Sequence, residues 1–236
     1  ERLAIMNSFQ ASGFDMARVT MAVYASAMGE ALAQAEAAHA KGIKRILLLP
    51  PFYFKGVSDA ALRHWFKQVL AGLPSGLEVI IYHIPQITLV PISPALVHDL
   101  QRTYPHQVVA VKDSSGDWDN TVQLLENPDL AVLIGDERHL AKAAPLGCAG
   151  AISGMANLFP QRLKQILASG QRDAALFDLV DAVVTQPVTP AIKAIVGQMY
   201  GDESWQRVRA PLEQTPQAAL LALSKLLSPM LNETVR

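Results

Sequence analysis

The sequence has a single cysteine, Cys148, among 236 residues. An internal disulfide is therefore excluded, and a reducing, cytoplasmic setting is expected. Six scattered histidines and one cysteine make no metal-ligand spacing, so no metal is predicted. Charge is sparse and balanced: 20 basic and 21 acidic residues leave a formal net charge of −1, with no basic cluster. That balance argues against nucleic acid as a partner. No run of 18 apolar residues occurs, so no transmembrane helix is expected. No charged segment followed by an apolar stretch opens the chain, as a secretory signal would. A G-x-G-x-x-G fingerprint after an early strand is also missing, which removes the main argument for a dinucleotide-binding sheet. Nor is there an initial methionine: Glu1-Arg2-Leu3 reads as the middle of a helix.

What is present is apolar material in short runs, half of all residues being hydrophobic. That is enough for one substantial core. Strands are predicted at 17–23, 45–49, 78–84, 108–112, 131–134 and 150–153, most of them nearly continuous apolar runs of the kind covered on both faces. Amphipathic stretches at 27–40, 59–70 and 94–104 lie between them, with Ser58 and Ser93 at N-cap positions and Gly42 as a C-cap. Helices are predicted again at 173–184, 190–200 and 217–227. Strict alternation implies parallel strands with right-handed crossovers. Of the two architectures left, an open doubly wound sheet and a closed barrel, the barrel better suits the polar residues at strand ends. A (β/α)₈ TIM barrel needs eight strands and six are visible. Two βα units, roughly 50–60 residues at ~30 or fewer each, are expected ahead of Glu1. Residues 1–169 would then be barrel units and 170–236 a closing helix with a helical appendage.

In such barrels the chemistry sits at the carboxyl ends of the strands. Those ends carry Tyr53 after RILLLPPF, Tyr82 in VIIYHIP, Lys112 in VVAVKDSSGD, Asp136 in AVLIGDE and Ser153 in GAISGMAN. Tyr82 and Lys112 are 30 residues apart and Tyr53 and Tyr82 are 29 apart, so all three are expected at one level on successive strands. Lys112 follows four apolar residues inside a strand, where lost hydration favours the neutral amine that attacks a ketone. Taken alone, a structural ion pair with Asp113 or Asp136 is the stronger reading of Lys112. Tyr82 on the next strand shifts the balance, because imine formation needs a proton donor and acceptor. Each tyrosine alone reads as a packed amphipathic ring, and PPFYF as an interface patch. His83 and His64 read as structural, and Asp136-Glu137 as a helix cap at least as readily as a binder of substrate hydroxyls.

VIIYHIP, VVAVKDSSGD, LIGDE and GAISGMAN, in this order and spacing, resemble the dihydrodipicolinate synthase and N-acetylneuraminate lyase superfamily. The resemblance runs nearly the whole chain, through PVTPAIKAIVGQMYG to RVRAPL. It implies a barrel with a helical carboxyl-terminal appendage, usually a homotetramer, that works without cofactor on a small 2-oxo acid and an aldehyde. It implies that Lys112 forms the Schiff base and that Tyr82 shuttles protons. Tyr53 would reach a neighbouring subunit's site, and the backbone at Ile152 and Ser153 would line the pocket beside the pyruvyl group. The family's Gly-Thr-Thr-Gly-Glu type loop, which grips the 2-oxo acid carboxylate, has no counterpart in the chain and would fall ahead of Glu1.

A second departure concerns substrate. Synthases that condense pyruvate with aspartate semialdehyde carry an arginine two residues beyond the proline of the tyrosine motif, where YHIPQIT places Ile87. An aliphatic side chain cannot hold a carboxylate as a guanidinium does. The reading is therefore a Schiff-base lyase or aldolase acting on a 2-keto-3-deoxy sugar acid. The alternatives are dihydrodipicolinate synthase itself and a catalytically silent binding protein on the same fold. An enzyme of phosphate-bearing substrates would want a glycine-rich loop after a late strand, and GAISGMANLFP is a poor one.

Overall fold

The computed structural model describes residues 1–234. These fall into two compact units, Glu1–Gly135 and Asp136 onward. In the first, helix α1 (Arg2–Ala11) precedes five strands: β1 (Thr20–Val23), β2 (Arg45–Leu48), β3 (Glu78–His83), β4 (Val108–Asp113) and β5 (Ala131–Ile134). Each is parallel to the next in chain order. Between them run α2 (Met28–His39), α3 (Asp59–Gly72), α4 (Pro85–Thr88), α5 (Pro94–Thr103) and α6 (Trp118–Leu125). The second unit holds α7 (Glu137–Ala143), the two-residue strand β6 (Gly150–Ala151), α8 (Pro160–Ser169), α9 (Ala174–Val184), α10 (Val188–Tyr200) and α11 (Gln217–Thr234). Six strands are thus found among the described residues, as the apolar runs predict.

Local chemistry explains most element ends. The Ser58 and Ser93 hydroxyls accept from the Ala61 and Leu96 amides and open α3 and α5, with Pro94 at the first position of α5. Asp117 and Asp173 do the same for α6 and α9. Helix α3 then buries Leu62, Phe66, Val69 and Leu70 along one face. The matching face of α2 is built only of Ala31, Ala35 and Ala38, small enough for close approach. The sheet contributes fully buried Ile46, Leu48 and Ile81.

Three expectations need correction. The first strand starts at Thr20 rather than Ala17, because Asp15 accepts from the Ala17 amide and closes a 3₁₀ turn over Met16–Arg18. Helix α2 is capped at Ala40, and Gly42 follows outside it in the left-handed conformation, φ 84°. Tyr53 is not level with Tyr82. The register pairs Leu48 with Ile81, so Leu49 is the position beside Tyr82 and Tyr53 lies four residues further on. Pro50 and Pro51 have no amide to extend the ladder, and the chain leaves the sheet there.

Candidate active site

The ends of β3 and β4 carry two consecutive cross-strand pairs, Tyr82 opposite Lys112 and His83 opposite Asp113. Side chains alternate along a strand, so the two pairs occupy opposite faces of the sheet. On one face, Lys112 Nζ donates to Tyr82 Oη at 2.9 Å and lies 4.1 Å from the centre of the same ring. Lys112 is 9% exposed, an unusually low value for a lysine. Among the described residues its amine has no other hydrogen-bond partner. A dry amine against a phenol is the equipment for carbonyl addition with proton transfer.

The opposite face is crowded with hydrogen bonds. Asp113 accepts from Thr121 at 2.8 Å, from Asn120 at 3.0 Å and from the Ser115 amide at 3.0 Å, and pairs with His83 Nδ1 at 3.2 Å. Burial alone would raise its pKa, but the hydrogen bonds from His83, Ser115 and Thr121 outweigh burial and bring it down to about 2. Asp113 is thus a fixed anion committed to α6 and His83, and it is not the ion-pair partner of Lys112 considered from the sequence. His83 proves to have a partner that sequence reasoning missed. The signal was there: His83 and Asp113 share the 30-residue spacing of Tyr82 and Lys112.

Behind β4 the chain cannot tolerate a side chain at Gly135. A β-carbon there would stand 1.9 Å from Ser114 Oγ and 2.9 Å from the Asp113 carbonyl, while the Gly135 amide donates to that carbonyl at 2.7 Å. The glycine of LIGDE is a close-approach position.

Tyr53 is 75% exposed, edge-on to Phe54 with ring centres 5.3 Å apart. Its amide donates to Ser26 Oγ at 3.0 Å. Lys55 fastens this turn to the segment after β3 by donating to the carbonyls of Phe52 and, at 2.7 Å, Thr88. That segment exposes Ile87 and Leu89, the latter in the left-handed region at φ 54°. His64 is exposed on α3.

In the second unit, Asp136 caps α7 by accepting from the Arg138 amide and holds the Arg138 guanidinium through both oxygens at 2.8 and 2.6 Å. Burial works to raise its pKa, and the bonds and charge of Arg138 win, keeping it low. Glu137 is buried and accepts from the Met155 amide at 3.1 Å. Ile152 and Ser153 are half-buried just beyond β6, and Ser153 Oγ has no partner among the described residues. A cavity of about 780 Å³ in this unit is lined mainly by Val188, Ile192, Val196, Tyr200 and Trp205, with Lys193 over the Trp205 ring. Among the described residues no three His, Cys, Asp or Glu side chains converge as metal ligands would, and no helix is long and apolar enough to cross a membrane.

The family model described as the dihydrodipicolinate synthetase family matches residues 4–230. The chain belongs to the dihydrodipicolinate synthetase family. Within it, a dihydrodipicolinate synthase from Agrobacterium tumefaciens is 40% identical in sequence and superposes with a TM-score of 0.92, over 97% of this chain and 80% of that one. A DapA-like lyase of Chloroflexus aurantiacus is 32% identical over 177 residues, 70% of this chain and 59% of the relative. A 2-dehydro-3-deoxy-D-gluconate/2-dehydro-3-deoxy-phosphogluconate aldolase of Picrophilus torridus is 33% identical over 118 residues, 49% of this chain and 42% of the relative. The chain therefore spans about half the length of these two curated relatives. Both synthases and sugar-acid aldolases occur in the family, and both are lyases.

Proposed function

We propose that the protein is a Schiff-base lyase of 2-oxo acids, with pyruvate as the carbonyl component and a polyhydroxylated aldehyde as the partner. The observation that carries this reading is the 2.9 Å contact between the buried Lys112 amine and the Tyr82 hydroxyl. Neutral Lys112 adds through its lone pair to the C2 carbonyl, giving a carbinolamine. Tyr82 gives its proton to the departing hydroxyl, water leaves, and a protonated imine forms beside the Tyr82 phenolate. The phenolate takes the proton of the C4 hydroxyl as the C3–C4 bond breaks, and the protonated imine accepts that bond's electron pair, leaving an enamine and releasing the aldehyde. In reverse, the enamine attacks the aldehyde. The imine supplies the polarisation that a metal supplies elsewhere.

This reading takes the six strands as part of the eight-stranded barrel that the family resemblance implies. It makes Tyr53, exposed beside Phe54, a residue that meets a second subunit within a homotetramer. By the resemblance the backbone at Ile152 and Ser153 would line the pocket beside the 2-oxo acid, and Asp136 is the acidic residue offered to substrate hydroxyls. A reducing cytoplasm suits the single Cys148. Ile87 favours a sugar-derived 2-oxo acid, whereas the 40% identity to the Agrobacterium synthase favours aspartate semialdehyde.

The test is to incubate the protein with pyruvate and borohydride and locate the reduced adduct by peptide mass spectrometry. A pyruvyl group on the peptide bearing Lys112 is expected. An adduct only with other 2-oxo acids would overturn pyruvate but keep the Schiff base. No adduct with any 2-oxo acid would overturn the enzyme reading.

A further inference from the structure

The strand that delivers Lys112 has a flaw at its beginning. Val79 pairs with Val108, but the next residue, Ile80, pairs with Ala110, so Val109 is an extra residue in β4. Such a bulge changes the register by one residue, and a one-residue slip turns every side chain to the other face. Without the slip Val111 would stand opposite Tyr82 and Lys112 opposite His83, and with one more Asp113 would stand opposite Tyr82; either way Lys112 would turn to the other face. Something at the far end of the strand must choose.

We propose that the His83–Asp113 pair is a positioning device for Lys112: anchored on the helix-facing side, it fixes the register in which the Lys112 amine meets Tyr82. Three observations support this. The pair is the cross-strand neighbour next to Tyr82–Lys112, and the backbone bonds beside it, Ser114 amide to His83 carbonyl at 2.8 Å and Gly135 amide to Asp113 carbonyl at 2.7 Å, tie β4 to both flanking strands at this level. Asp113 also accepts from Thr121 and Asn120 on α6, and the Asn120 amide lies 3.3 Å from His83 Nδ1 as well, so the anchor is referred to the helix layer and not only to the sheet. Finally, His83 Nε2 is buried and has no hydrogen-bond partner among the described residues. A buried nitrogen without a hydrogen bond is unfavourable. Its other nitrogen, against Asp113, is what accounts for the residue.

This inference rests on Lys112 being the Schiff-base lysine, and the experiment separates the two. The rate at which pyruvate becomes trapped on Lys112 is measured at saturating pyruvate for the wild type, His83→Leu and His83→Asn, together with the pyruvate concentration giving half-maximal rate and the thermal midpoint. Leucine removes both nitrogens, whereas an asparagine amide stands near the place of Nδ1 and still donates to Asp113. His83→Leu is expected to lower the thermal midpoint somewhat, because buried Asp113 loses a hydrogen bond, to leave the half-maximal concentration within about twofold and to slow maximal trapping by about tenfold or more, as a small misplacement does. His83→Asn is expected to recover most of that rate. Should His83→Leu fail to fold, Asn120→Ala, which weakens the anchor from the half-exposed α6 side, is expected to slow trapping by about threefold at an unchanged half-maximal concentration. Trapping in His83→Leu as fast as in the wild type, or in His83→Asn as slow as in His83→Leu, overturns the positioning role alone. No trapping in the wild type overturns it together with the Schiff-base reading.

Discussion

The two faces of the β3–β4 ladder make opposite use of the same geometry. On one, Lys112 and Tyr82 are hydrogen-bonded to each other, and the Lys112 amine has no other partner among the described residues. On the other, the Asp113 carboxylate gathers a serine amide, a threonine hydroxyl, an asparagine amide and an imidazole. A side chain with every hydrogen-bonding site filled is a fastener. One that is buried with a single partner keeps donors or lone pairs uncommitted, which is what the proposed carbonyl addition requires of Lys112. Burial is common to both faces, so burial alone does not mark chemistry; the number of partners does.

That contrast is broken most severely at Lys112. Lys112→Ala is expected to abolish the borohydride-trapped pyruvyl adduct altogether, while thermal stability stays at or above that of the wild type, since a buried amine is costly to keep. An adduct surviving on another lysine would place the chemistry elsewhere.

Tyr82→Phe ranks next. The ring and its packing remain and only the proton donor goes, so turnover is expected to fall by ~10²–10⁴, the usual loss for a general acid–base. Slow trapping on Lys112 should persist, because the amine is still there. A phenylalanine variant with unaltered turnover would reduce Tyr82 to a wall of the pocket.

On the fastener side the effect should appear in stability. The Asp113 pKa is about 2 in the folded protein against 3.8 ordinarily. Below pH ~4 the unfolded chain therefore binds a proton that the native state does not, and stability falls as pH falls. The contribution is complete above pH ~4, disappears towards pH 2 and is worth about 2 kcal/mol. Asp113→Asn should lose about that much at neutral pH and show a flatter acid limb between pH 4 and pH 2, measured by urea unfolding across that range. An unchanged acid limb would mean that other carboxylates govern it.

How far the sequence reveals each face follows from the same physics. Strands at Ala131–Ile134 and Glu78–His83 are legible because each contains a continuous apolar run, 131–134 and 79–81, of the kind covered on both faces. Lys112 and Tyr82 are legible because polar residues at the end of such runs stand out. His83 and Asp113 are just as regularly spaced, yet His83 reads only as a structural histidine and Asp113 as an ion-pair partner for Lys112. Their meaning lies in register, and register depends on the bulge at Val109, which no hydrophobic pattern announces. Tyr53 fails for a related reason. Its spacing of 29 matches a repeat, but a proline pair took the chain out of the sheet before it arrived.

The smallest expected effect tests what the reactive face is for. Ile87, just beyond β3, is 72% exposed, so an arginine there would keep most of its hydration. Its attraction for the carboxylate of aspartate semialdehyde would be that of a surface ion pair, 0.2–1 kcal/mol, or about 1.4- to 5-fold. Ile87→Arg should therefore raise kcat/KM for aspartate semialdehyde by no more than about fivefold, leave trapping of pyruvate on Lys112 unchanged, and alter stability by less than about 0.5 kcal/mol. The ratio of activity with a polyhydroxylated aldehyde to that with aspartate semialdehyde, measured in both proteins, decides between readings. If the wild type already uses aspartate semialdehyde at least as well, Ile87 does not set the partner and the synthase alternative gains. If arginine improves it a hundredfold, the side chain must act in a site far drier than its exposure indicates, one closed over by groups beyond the single chain.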